Sequence, residues 1–169
     1  MGKKFKTAIL TISDSRSEKN DLSGDTIQHV ITVEGFEIKS RSIVIDEKEI
    51  IESQLIEWSD SGGLDLILTT GGTGLGSRDV TPEATLAILD VEVPGIAEAM
   101  RYQTLKKTPL AMLSRSVAGI RSGCLIVNLP GSPKGVTECL EVIMPALSHG
   151  LEMISGYRGQ HTSDSTTSK

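Results

Sequence analysis

The sequence predicts an α/β fold, a three-layer sandwich with a mostly parallel central sheet. Three observations predict it. Residues 7–13, 64–70 and Cys124–Leu129 are short apolar runs with the near-continuous character of strands buried on both faces. Segments with apolar residues at helical spacing separate these runs, so strands and helices alternate along the chain. Two of the runs lead straight into glycine-rich turns and then a proline suited to a first helical position.

The first strand, 7–13, stops at Asp14-Ser15-Arg16. A polar loop follows, and Ser23 is placed to cap a helix that carries Ile27, Val30 and Ile31 on one face and ends near Glu34-Gly35. Residues 36–45 alternate as a second strand. Asp46-Glu47-Lys48-Glu49 is close to a capping box, with Ile50, Ile51, Leu55 and Ile56 at helical spacing behind it. After Asp60-Ser61-Gly62-Gly63 comes the third strand, 64–70. Thr81 offers an N-cap hydroxyl and Pro82 a preset φ for a short helix over 81–89. Val93-Pro94-Gly95 breaks that helix before another over 96–105. Residues 110–114 read as a weak strand, and Cys124–Leu129 as a strong one that ends in Pro130-Gly131-Ser132-Pro133-Lys134-Gly135. Val136, Leu140, Ile143, Leu147, Leu151 and Ile154 stay in phase across Pro145, which predicts one helix kinked at that proline. Residues 1–158 read as a single domain, and 159–169, rich in serine and threonine, as a disordered tail.

At 169 residues the chain is long enough to bury a full core. Its 22 acidic residues against 17 basic ones give a net charge of −5, and the pairs Lys3-Lys4 and Lys106-Lys107 form no patch. Nucleic acid is therefore not an expected partner. Cys124 and Cys139 stand inside apolar runs without metal-ligand spacing and read as reduced core residues of a cytoplasmic protein. The basic start is followed by too short an apolar run for a signal peptide, and no stretch approaches the length needed to span a bilayer, so no membrane partner is expected. Trp58, Met112 and Met144 read as packing residues, and His29, His149 and His161 receive no role.

The most informative stretch is Gly71-Gly72-Thr73-Gly74-Leu75-Gly76-Ser77-Arg78-Asp79, which joins the third strand to the helix at Pro82. Its four glycines leave the backbone free to take positive φ and let a ligand approach the main chain. Unpaired N–H groups and the positive end of the following helix would attract an anion. The nucleotide motifs with names do not fit: the Walker lysine is missing, and Ser77 stands where the dinucleotide fingerprint needs its third glycine. In a parallel sheet, ligands collect beyond the carboxyl ends of the strands. That places Ser13 and Asp14, the glycine loop, and Pro130, Gly131 and Ser132 on one rim.

Asp46 and Asp79 each follow a strand and precede a helix, so both reach that rim. Either can be a helix cap, worth about 0.5–2 kcal/mol. For Asp79 a cap is redundant if Thr81 supplies one, and a carboxylate among anion-attracting N–H groups needs a cation between it and a phosphate. Mg²⁺, which binds one or two carboxylates together with substrate phosphates, suits that position. Asp14 either serves the ligand or caps the polar loop. Arg16, Arg78 and Arg115 either hold phosphate or carboxylate in a fork or are surface salt-bridge partners. Ser114 offers a hydroxyl to a phosphate or to a turn.

These residues resemble a known family. Thr11-Ile12-Ser13-Asp14, Asp46-Glu47, Thr70-Gly71-Gly72-Thr73-Gly74, Arg78-Asp79-Val80-Thr81-Pro82-Glu83, Val93-Pro94-Gly95, Leu113-Ser114-Arg115-Ser116 and Asn128-Leu129-Pro130-Gly131-Ser132-Pro133 follow, in order, the pattern of the MogA/MoaB-type molybdenum cofactor biosynthesis proteins. The resemblance covers roughly residues 7–155. It implies a molybdopterin-binding fold and a molybdopterin adenylyltransferase that uses ATP and Mg²⁺ and releases pyrophosphate. It implies Asp46 and Asp79 as the catalytic, metal-holding acid pair, Ser114 as a molybdopterin contact, and Gly71, Gly72, Thr73 and Gly74 as the nucleotide and phosphate loop. It also implies a homotrimer, or a hexamer of trimers, with the molybdate insertase that takes the product as a partner. The alternatives it leaves are a non-catalytic molybdopterin carrier and a molybdate-inserting domain.

Overall fold

A computed structural model describes residues 4–156. In chain order the elements are β1 (Lys6–Ile12), α1 (Leu22–Val33), β2 (Glu37–Val44), α2 (Lys48–Asp60), β3 (Leu66–Thr70), α3 (Thr81–Ile88), β4 (Val91–Glu92), α4 (Pro94–Leu105), β5 (Ala118–Arg121), β6 (Cys124–Leu129) and α5 (Pro133–Ile154). The strands form one sheet in the order β2-β1-β3-β6-β5-β4. The pairs β1–β2, β1–β3 and β3–β6 are parallel, while β5–β6 and β4–β5 are antiparallel.

The strands are apolar throughout because both faces of the sheet are covered. Ile9, Leu66, Leu68, Leu125 and Val127 pack on one side against Ile27 and Ile31 of α1, Met100 of α4 and Val136, Leu140 and Ile143 of α5. Ala8, Leu10, Ile12, Ile67 and Ile126 pack on the other against Ile51 and Leu55 of α2 and Ala84 and Ile88 of α3. Each fully buried leucine or isoleucine contributes about 1.5–3 kcal/mol, so this alternation of faces fixes which way each strand is turned. The expected three-layer sandwich with a mostly parallel sheet is the fold observed.

Several local expectations are corrected. The cap of α1 is Asp21, which accepts from the Gly24 N–H at 3.1 Å, and not Ser23, whose hydroxyl donates to the Gly131 carbonyl at 2.9 Å. Asp21 is buried and is held by Thr11 Oγ1 at 2.7 Å and Arg41 at 2.8 Å. Helix α2 starts from Glu47 with no side-chain cap, so Asp46 caps nothing. Helix α3 starts from Val80, also without a side-chain cap, and Thr81 turns its hydroxyl back to the Gly71 carbonyl at 3.0 Å.

Residues 110–114 are not a strand. Pro109–Leu113 forms a 3-10 turn, started by the fixed φ of Pro109 and by Thr108 Oγ1, which accepts from the Leu110 N–H at 3.3 Å. Met112 on that turn is exposed and does not pack, whereas Trp58 and Met144 do. The two antiparallel strands β4 and β5 were not anticipated. Ser122 at φ 49° and Gly123 at φ 78° close β5 onto β6 as a two-residue hairpin, whose right-handed twist needs positive φ at both positions. Helix α5 runs as one element through Pro145. Cys124 and Cys139 are free and buried, and burial pushes their thiols up to about 12 and about 11. The expected tail at 159–169, with His161, lies outside the described residues.

Candidate active site

The strand order lines up four carboxyl ends side by side: Asp46 after β2, Asp14 after β1, the glycine loop after β3 and Pro130 after β6. From β1 the chain leaves toward β2 on one flank, and from the neighbouring β3 it leaves toward β4, β5 and β6 on the other. The crevice between diverging connections is where an open α/β sheet takes its ligand.

On the outer side of this crevice Asp14 and Asp46 are bonded reciprocally. The Asp14 N–H donates to Asp46 Oδ2 at 2.9 Å and the Asp46 N–H donates to Asp14 Oδ1 at 3.1 Å. Arg78 reaches back across the loop and grips Asp14 with both arms of its fork, Nε at 2.9 Å and a terminal nitrogen at 3.0 Å. That grip, helped by the Asp46 N–H, holds the Asp14 carboxyl below its ordinary range. Asp46 goes the other way. Burial pushes its carboxyl up, the charges of Asp14 and Asp79 add to the push, and the Asp14 N–H and Arg78 oppose it.

The loop itself is tightly built. Gly71 at φ 100° passes so close to β1 that a Cβ would lie 2.2 Å from the Ile12 carbonyl oxygen. Gly72 at φ 62° would put one 2.3 Å from Thr81 Oγ1 and 3.1 Å from Asp46 Oδ1. Both positions therefore require glycine. Asp79 folds back into its own loop and accepts from the Gly76 N–H at 2.7 Å. Among the described residues the N–H groups of Gly72, Thr73 and Gly74 have no hydrogen-bond partner. They border a cavity of about 530 Å³ together with Asp79, Ser114, Pro130, Gly131 and Ser132. Successive free N–H groups facing a cleft are an anion cradle.

The remaining predicted site residues fall into place around this cradle. Ser13 Oγ accepts from the Ser15 and Arg16 N–H groups at 3.2 Å each, so it shapes the turn after β1. Pro130 accepts from Thr70 Oγ1 at 2.6 Å, and a Cβ on Gly131 would lie 3.4 Å from Gly71 Cα, so the two loops abut. Ser132 caps α5, accepting from the Gly135 N–H at 3.1 Å. Ser114 donates to Ser116 Oγ at 3.1 Å and reaches the rim because it precedes an antiparallel strand. Arg16 donates to Ser23 and to the Gly131 carbonyl, and Arg115 is engaged by the loop and by Glu83. Both guanidinium groups are thus engaged by protein acceptors.

Sequence reasoning passed over Arg101, which lines the cavity and donates to the Ser116 carbonyl at 2.7 Å. It sits on a solvated-looking helix face, and no motif marks it. Lys134, in the first turn of α5, also lines the cavity.

The donor set fits Mg²⁺. Asp46 and Asp79 each commit Oδ2 to a backbone N–H and keep Oδ1 without a hydrogen bond, hard oxygens of the kind this ion takes. No cluster of three or more histidine, cysteine or acidic residues able to hold a metal occurs among the described residues, so the protein offers no full cage. An ion there would need oxygens from a bound phosphate or water.

Over residues 8–149 the chain matches the family described as "Probable molybdopterin binding domain". It belongs to that family. Its relatives are MogA/MoaB-type proteins. It is 44% identical over 153 residues to the molybdopterin adenylyltransferase of Helicobacter pylori strain J99, covering 88% of this chain and 86% of that one. It is 42% identical over 150 residues to the molybdenum cofactor synthesis protein cinnamon of Drosophila melanogaster, covering 86% of this chain and 25% of that one. The crystal structure of the molybdopterin biosynthesis enzyme MoaB from Thermus thermophilus superposes with a TM-score of 0.84 at 51% identity, covering 90% of this chain and 97% of that one. The family resemblance noted in the motifs therefore holds across the described fold.

Proposed function

We propose that this protein is a molybdopterin adenylyltransferase of molybdenum cofactor biosynthesis, a nucleotidyltransferase acting on ATP and molybdopterin. The terminal phosphate oxygen of molybdopterin attacks the α-phosphorus of ATP. A new P–O bond forms as the α–β bridging P–O bond breaks, and pyrophosphate leaves with the electron pair. The attacking phosphate is already ionised at neutral pH, so the site needs no strong general base. Its task is to align two polyanions and offset their repulsion.

The observation that carries this reading is the cradle: Gly72, Thr73 and Gly74, whose N–H groups have no partner, line the same cavity as Asp79, with Asp46 beside Gly72. The N–H groups hold the phosphoryl oxygens, and Ser114, Gly131 and Ser132 face molybdopterin across the cavity. Arg78 and Asp14, exposed at the rim, form the edge over which the nucleotide phosphates enter. Asp46 and Asp79 would hold Mg²⁺ through their unbonded oxygens, and the ion would there neutralise charge on the transferring phosphoryl group.

Purified protein given ATP, Mg²⁺ and molybdopterin is expected to release pyrophosphate and form adenylyl-molybdopterin. Molybdopterin binding without pyrophosphate release would make the protein a carrier. Incorporation of molybdate into preformed adenylate would make it an inserting domain. That second reading is kept because the Drosophila relative carries this region as a quarter of a longer chain. The assembly proposed is a homotrimer or a hexamer of trimers that hands its product to the molybdate insertase, and sedimentation of a monomer alone would refute the trimer. The location proposed is the cytoplasm. Two buried free thiols support it, and no helix among the described residues is long and apolar enough to cross a membrane.

A further inference from the structure

We propose that Arg115 is the positioning residue of the adenylyl-transfer site, fixing the glycine loop and Asp79 from behind without touching substrate. The proposal rests on the function just argued. Arg115 lies between the 3-10 turn and β5 and meets the loop at both ends. Its N–H donates to the Thr73 carbonyl at 3.0 Å and its Nε to the Gly74 carbonyl at 2.7 Å. One terminal nitrogen donates to the Asp79 carbonyl, and the other pairs with Glu83 in the first turn of α3.

The loop needs such an outside tie. Between Gly74 and Asp79 its own bonds are the Gly76 N–H to Asp79 Oδ2 at 2.7 Å and the Asp79 N–H to the Gly76 carbonyl at 3.0 Å. Both close the same small ring and say nothing of where that ring points. Gly74 and Gly76 have no side chains to anchor it, and a Cβ on either would crowd the Asp79 carboxylate at 3.0 Å or less. Ordering such a backbone is entropically costly. Arg78 ties the loop to Asp14 through its own side chain, and Arg115 supplies the reference for the loop backbone, because a planar fork with fixed donor directions can bond Gly74, Asp79 and Glu83 at one time. Lysine, a single ammonium on a flexible stem, cannot. Arg115 is not among the residues that line the cavity, and each of its three nitrogens already has a protein acceptor, so its fork is turned to the loop rather than to substrate.

The test compares wild type, Arg115→Lys and Glu83→Gln by steady-state adenylyl transfer and by amide hydrogen exchange. For Arg115→Lys, kcat is expected to fall about 10- to 100-fold, the range in which small misplacements act. KM for ATP and for molybdopterin should stay within about 3-fold, and exchange across 73–79 should rise about 10-fold while β3 and α3 keep their protection. Glu83→Gln keeps the Gly74 and Asp79 bonds and should lower kcat by less than about 3-fold with a smaller rise in exchange. A raised KM with unchanged kcat and exchange would make Arg115 a substrate contact and overturn the proposal. Loss of cooperative unfolding in Arg115→Lys would make it a folding residue and overturn it too. If wild type transferred no adenylyl group, the function would be wrong, and the exchange arm would still decide whether Arg115 holds the loop.

Discussion

Replacing Asp79 by Asn removes one negative charge and leaves the side chain its size. The carboxylate has two jobs in this geometry: Oδ2 accepts from the Gly76 N–H at 2.7 Å, and Oδ1 is left free at the cavity. The amide oxygen of Asn can still accept from Gly76. The structural loss is thus the difference between a charge-assisted bond and a neutral one, about 1 kcal/mol. In a domain of this size that lowers Tm by about 2–4 °C. The chemical loss is larger. A charged group aimed at a phosphoryl-transfer site in a partly dry cleft is worth roughly the 2.7–4 kcal/mol measured for single preorganised groups, so kcat should fall by about 10²- to 10³-fold. Pyrophosphate release with ATP, Mg²⁺ and molybdopterin measures the rate, and thermal unfolding with molybdopterin titration measures the fold and the binding. Wild-type turnover by the variant would refute the role of Asp79. A Tm loss large enough to account for the fall in rate would refute the division between the two oxygens.

Gly72→Ala should lower Tm by about 4 °C or more and the rate at least about 10-fold, because αL strain of about 1–2 kcal/mol adds to a Cβ 2.3 Å from Thr81 Oγ1. Gly35→Ala is the control: φ is 87° with nothing within 4 Å, so it should cost about 1 kcal/mol and spare the rate. Equal effects from the two would refute the close-approach argument. Asp21→Asn should destabilise by about 3 kcal/mol at neutral pH, since it strips a buried carboxylate from Arg41. Burial pushes the Asp21 carboxyl up, but Thr11, Arg41 and the Gly24 N–H outweigh it and the net shift is downward. Its contribution is therefore full above the unfolded value of about 3.9 and is lost as pH falls through the lower folded value. The Tm gap between wild type and variant should close in acid, and a gap independent of pH would refute the assignment. Ser132→Ala removes the cap on Gly135 and should lower Tm by about 2–4 °C, for about 1 kcal/mol; an unchanged Tm would show that the cap contributes nothing.

The central strands were legible because two-sided burial writes itself as unbroken apolar runs, as in Leu66–Thr70 and Cys124–Leu129. The edge was not. Strand β4 is two exposed residues, and β5 is only Ala118–Arg121. A usable signal lay in Ser122-Gly123, a dipeptide suited to a tight hairpin just before a strong strand. The run at 110–114 misled because apolar content alone does not separate a short strand from a 3-10 turn. Caps were misassigned for a related reason: Ser23 and Thr81 are good local capping residues, but the Ser23 hydroxyl is claimed by Gly131, far away in sequence, and that of Thr81 by Gly71 at the start of the loop before it. In the site, the glycine loop and both acids were visible as local pattern. The orientation of Asp46 was not, since it depends on Asp14, thirty-two positions away and brought alongside only by the β1–β2 register. Arg115 was visible as a charge, and only its acceptors show what the charge is for.

That distinction between a charge and its engagement decides the electrostatics of the cleft. Asp14, Asp46, Glu47 and Asp79 gather where the loop N–H groups invite an anion. Arg78 is the cation among them, its fork on Asp14 and a terminal nitrogen 4.0 Å from Glu47. Arg16 and Arg115 are taken up by carbonyls and by partners inside the protein. A polyphosphate entering this rim alone would meet N–H dipoles that attract it and carboxylates that repel it at comparable range. Arg101 and Lys134 line the cavity as well, and positive charge entering with the ligand would add to theirs in offsetting the carboxylates at the rim. The oxygen left unbonded on each of Asp46 and Asp79 is where that charge would sit. On the proposed reading the acids thus serve as the half of a cation site that the nucleotide completes, and this is why the fold holds each of them by one oxygen and leaves the other bare.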